Sequence, residues 1–146
     1  YKNGVIATRT LIATLTATSG TTHSVTAIPA YRELYIEVAG VSFNAAATMT
    51  LAVSDDNGAN YGTARNIAPS TGSAAGVLYG TINVTNIQTT DSLAIATSTM
   101  GLAAGAGTVI TAVLAEAGGA PAVINAIQFG GGTFDGVGII RIFGLL

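Results

Sequence analysis

The sequence predicts an all-β fold, an antiparallel β-sandwich of jelly-roll type with about eight strands, in a single domain spanning residues 1–146. Three observations carry this. Apolar and polar residues alternate at period two in several segments, glycine- and asparagine-rich turn clusters separate those segments, and no repeat or composition break marks a second domain. Within it, residues 1–30 are expected to form an N-terminal strand or arm that contacts neighbouring subunits.

The first candidate strand is Val5 to Thr16, where threonines alternate with aliphatics, followed by a short Val25 to Ile28 that Pro29 ends. In LYIEVAGVS, Leu34, Ile36 and Val38 point one way and Tyr35, Glu37 and Ala39 the other. ATMTLAVS does the same with Met49, Leu51 and Val53 against Thr48, Thr50 and Ala52. Ala64 to Ile67 is weaker, and VLYGTINVT is strong again, with Leu78, Ile82 and Val84 inward and Tyr79, Thr81 and Asn83 outward. Leu93 to Thr97, Thr108 to Ala115, Val123 to Phe129 and Gly138 to Phe143 complete the set. The inward sets, extended by Ile127, Phe129, Ile140 and Ile142, are the predicted core, because a slip of one residue would send each set to the wrong face.

One segment has a helical rival. Ala103 to Ala117 is alanine-rich, but Gly105, Gly107 and the β-branched run Thr108 to Thr111 with Val113 favour a strand. The apolar stretch from Val109 to Phe129 is long enough to span a membrane, yet Glu116, Gly118, Gly119 and Pro121 interrupt it, so it reads as two strands and a turn with no membrane insertion. No signal peptide is visible at the start, and a chain beginning at Tyr1 reads as a processed product or an excised fragment.

Composition narrows the function. Charged residues make up 8% of the chain, against about 25% in an average domain. The five basic residues are scattered, which leaves nothing to track a phosphate backbone and so no nucleic-acid partner. A surface with so few charges has little electrostatic resistance to association, so a homo-oligomer is expected. With no cysteine and a single histidine, His23, there is no thiolate chemistry and no zinc ligand set. His23 reads as a solvated loop histidine, not the base of a triad.

No pair among the seven carboxylates is singled out for glycosidase chemistry, so no catalytic residue is assigned and no enzyme is expected. SDDNGANYG is rich in oxygen ligands but breaks the calcium-loop spacing at Ala59 and lacks the closing glutamate. It is expected to be a metal-free hairpin turn with Asn57 and Gly58 at positive φ. The glycine runs match no phosphate loop, the Asn83 sequon lies inside a strand, and no cofactor is implied. Asn60, Tyr61, Tyr79, Phe134 and Asp135 are the candidate glycan-binding residues, with rings to stack on sugars and polar groups to bind hydroxyls.

YRELYIEVAGVS, TMTLAVSDDNGANYG, VLYGTINV and INAIQF with GGTFDGVGIIRIFG together resemble the distal β-domains of phage tail fibres and related fibre or decoration proteins of the virion surface. Those chains often close on something near GGxFDAGTIRLYG. The resemblance covers Tyr31 to Gly144 and implies an extracellular structural protein of a bacteriophage particle, a homotrimer that contacts other virion proteins. It also implies that Ile140 and Ile142 enter the core, that Arg141 points outward to solvent or to Glu37 or Asp135, and that a neighbour covers Phe143, Leu145 and Leu146. Folding of the tail over its own sandwich is the alternative. Two other functions stay open: a carbohydrate-binding domain for host recognition, and a subunit of an extracellular filament or surface layer.

Overall fold

The computed structural model describes residues 8–103, 105 and 107–146, and within them the chain forms ten strands and no helix. These are β1 (Arg9–Ala17), β2 (His23–Val25), β3 (Glu33–Ser42), β4 (Thr48–Ser54) and β5 (Arg65–Ser70), then β6 (Val77–Thr85), β7 (Ala94–Leu102), β8 (Gly107–Leu114), β9 (Ala126–Gly130) and β10 (Gly138–Leu145). They build two antiparallel sheets, one in the order β1-β10-β3-β6-β7-β8 and the other β2-β9-β4-β5. Each predicted segment overlaps a strand, the one expected at Val25 to Ile28 only at Val25 because β2 runs from His23 to Val25, and the count is ten where about eight was expected. The extra ones are short pieces such as β2, whose pattern is weak but whose backbone pairs with β9.

Every predicted core side chain is buried, and together they form one cluster between the sheets. The alternation works because each sheet has one face to fill: Ile36 meets Ile82 on β6 and Ile142 on β10, all three inward. On β7 and β8 the inward residues are small at Ala94, Ala96, Ser98 and Ala112 and large at Met100 and Leu114, and β5 with its own Ala68 packs against both strands. Small side chains on facing strands let the two layers approach.

Register shifts interrupt the ladders on β1, on β3 and between β4 and β5, where Thr48 pairs with Ser70 but Thr50 with Asn66. In β1 the register shifts between Leu11 and Ala13, so Ala13 and Leu15 share the inner face with Ile142 and Ile140 while Leu11 turns out beside Phe143. In β3 the shift falls between Ala39 and Val41, at Gly40, whose φ of +72° suits glycine; Val41 returns to the core three residues after Val38.

Some boundaries move for physical reasons. The strand expected from Val123 starts only at Ala126, because the backbone N–H groups of Ile124 and Asn125 donate to the carbonyls of Ile87 and Ser54 and not to a strand ladder. Within the alanine-rich segment Gly107–Leu114 form β8, paired with β7 along that whole length, so the strand wins there over the helix. Val5 to Ala7 of the first predicted strand lie outside the described residues. Within the described part of residues 1–30, β1 pairs with β10 and β2 with β9.

Candidate functional site

The turn between β4 and β5 is organised from within. Ser54, fully buried, donates its hydroxyl to Asp56 (2.6 Å) and accepts the Gly58 N–H (3.0 Å). Asp56 also accepts from the backbone and the side chain of Asn60, at 2.9 and 2.7 Å. The Ser54 hydroxyl, then the Asn60 donors, hold the Asp56 carboxyl at about 2, below its ordinary 3.8. Asn57 and Gly58 take φ of +62° and +86°, as a tight connection requires. Asn57 accepts the N–H of Ala27, itself at a φ of +53°, and its own N–H donates to Asn125 Oδ1 (2.8 Å). The carboxylate of Asp56 and the Oδ1 of Asn57 are thus engaged in hydrogen bonds inside the loop cluster.

The candidate glycan residues are not brought together. Tyr61 folds back over its own turn, its hydroxyl buried beside Gly58 without a hydrogen-bond partner, and Asn60 is held by Asp56. Tyr79 stands at the other end of the sandwich, opposite Ala39 on β3, close to Ser42, whose hydroxyl donates to Asp135 (2.8 Å). Register places these groups apart: Ser54 pairs with the start of β9, whereas Phe134 follows its end and bridges to Phe43.

Phe134, expected to offer its ring to a ligand, is instead 1% exposed. It packs on Phe43 (4.8 Å between ring centroids) and takes the edge of His23 (4.8 Å, 66°). His23 in turn is no loop residue; it lies in β2 opposite Phe129 with Nε2 buried and unpartnered. The reason in both cases is closure of the sandwich end, where the β9–β10 loop must cover the rings of the core.

Sequence reasoning missed a polar cleft of about 320 Å³ at the start of β3, lined by Arg32, Glu33, Thr85, Asn86, Gln88 and Thr89. Only loop residues after β6 complete it, so no periodic signal could have marked it. Among the described residues no group of three His, Cys, Asp or Glu is placed to hold a metal ion.

The outer face of the six-stranded sheet carries the C-terminal residues. Phe143 and Leu145 point outward from β10, half-buried, with Tyr35 of β3 on one side of Phe143 and Leu11 of β1 on the other. Leu11 is 54% exposed and Leu146 76% exposed. Arg9 lies over the Tyr35 ring at 3.5 Å and Arg141 faces Glu37, so these cations border the patch. On the inner face, the Tyr31 ring occupies the place where a side chain on Gly144 would sit. β10 is therefore an interior strand of its own sheet, flanked by β1 and β3, with Phe143 and Leu145 half-buried on its outer side.

No family model, no curated protein and no solved structure matches the chain.

Proposed function

We propose that this chain is a non-enzymatic structural module of a phage particle surface, a fibre tip or decoration subunit that assembles as a homotrimer through its C-terminal strand. The observation that carries the reading is the outward patch of Leu11 on β1 with Phe143 and Leu145 on β10, followed by the exposed Leu146, in a chain with 8% charged residues. The resemblance of the Tyr31 to Gly144 segments to tail-fibre β-domains supports the virion location. Full burial of an exposed large apolar side chain contributes about 2 kcal/mol, the half-buried Phe143 and Leu145 gain a fraction of it, and a threefold assembly gains it at every equivalent contact.

Analytical ultracentrifugation of the wild type and of Phe143→Ser tests it. The wild type should sediment as a multiple of three subunits, and the variant as a smaller species with unchanged strand content. A wild type that stays monomeric at high concentration overturns the reading. Antibody labelling of the source particle in electron micrographs then tests the location.

A further inference from the structure

Each sheet ends in two edge strands, and a free edge is a row of unpaired backbone groups that can template another strand. Three of the four edges carry devices that discourage pairing. β1 has its bulge and Arg9, β2 is three residues long, and β5 contains Arg65 and Pro69. β8 has none of these: Gly107–Leu114 contains no charge and no proline, and its register against β7 runs from Gly107 to Leu114 without a shift.

The residues of β8 are also arranged symmetrically about Thr111. Val109 and Val113 flank it on the outer face, 67% and 50% exposed, while Ile110 and Ala112 flank it on the inner face. An antiparallel pair of β8 strands centred on Thr111 sets Thr111 against its own copy and each Val109 against a Val113. It also sets the larger Ile110 against the small Ala112. Faces match, because partners equidistant from Thr111 lie on the same side of the sheet. Threonine and β-branched pairs are favourable cross-strand neighbours, and self-complementarity is what a twofold contact requires. Pairing with the β1 edge of another copy would instead meet the bulge and Arg9.

We propose that β8 is a homotypic docking edge, through which two copies of this chain join their six-stranded sheets across a twofold axis at Thr111. The contact lies at the opposite edge of the sheet from β1 and β10, so it stands independently of the C-terminal assembly. Eight residues of strand form a small interface, which makes the isolated contact dependent on concentration.

The absence of cysteine permits a direct test by single substitution. Directly opposed residues in antiparallel strands have Cα atoms about 4.5–5.5 Å apart, inside the range a disulfide spans. Thr111→Cys should therefore oxidise to a covalent dimer. Val109→Cys, exposed on the same face, should not, because its own copy lies four strand positions away. Placing Thr111→Cys in the Phe143→Ser background should leave the cross-link intact even where the C-terminal contact is lost, which separates this contact from the trimer reading. Val109→Lys added to Thr111→Cys should abolish the cross-link without changing the thermal midpoint. Equal cross-linking of Thr111→Cys and Val109→Cys, or none from Thr111→Cys in a chain that retains its strand content, overturns the proposal.

Discussion

Arg141 and Glu37 stand directly opposite each other on β10 and β3, with Arg141 Nη1 3.9 Å from Glu37 Oε2. Both side chains are about two-fifths exposed, so solvent screens the pair and its contribution falls in the 0–1 kcal/mol range of surface ion pairs, here about the lower half. Glu37→Gln should lower stability by less than about 0.5 kcal/mol in low salt and by nothing measurable in high salt. Urea unfolding at two ionic strengths decides this, and a loss above about 2 kcal/mol would show the pair to be buried by something outside the subunit.

Gly144 should not tolerate a side chain. A Cβ there would fall 2.3 Å from the Tyr31 ring, so Gly144→Ala should cost about 1–3 kcal/mol by overpacking. Combining it with Tyr31→Ala should recover part of that loss, since residues in contact do not act additively. Additive losses in the double mutant would mean that the ring is not what excludes the methyl group.

Asp56 should make stability depend on pH at the acid end. Its folded-state value of about 2 lies below the 3.8 of the unfolded chain, so between these values the unfolded state binds more protons and stability rises with pH. The contribution is complete above about pH 4 and is lost as pH falls through about 2. Asp56→Asn should flatten this part of the profile, and an NMR titration of the Asp56 carboxyl in the intact chain measures the same value directly.

The loop cluster should depend on Asn57. Its side chain accepts the N–H of Ala27, which is held at positive φ, and Asn57→Ala leaves that donor without its acceptor and removes a residue suited to positive φ. A loss of about 1–2 kcal/mol is expected, with faster amide exchange at Ala27 as the local readout. Unchanged exchange would show that the bond does not hold the loop.

What the sequence determined by itself was everything that depends on a local period. Leu34, Ile36 and Val38, or Leu78, Ile82 and Val84, could be assigned to the core because a regular strand sends alternate side chains to opposite faces. The Asn57–Gly58 turn was legible for the same kind of reason, since its positive φ angles select those residue types. Phe134 and His23 were not legible: one follows the end of β9 and the other opens the short β2, and they pack on each other and, for Phe134, on Phe43, all far apart in sequence. The tertiary structure alone decided that Leu11 faces outward, because one extra residue in β1 inverts the alternation and nothing in the pattern of threonines and aliphatics reveals it. It alone decided which strands are edges, and so that the uncharged β8 ends a sheet while the equally apolar β10 lies inside one. Period is a property of neighbours in sequence, whereas edge, bulge and ring contact are set by long-range strand pairing, which only the folded chain establishes.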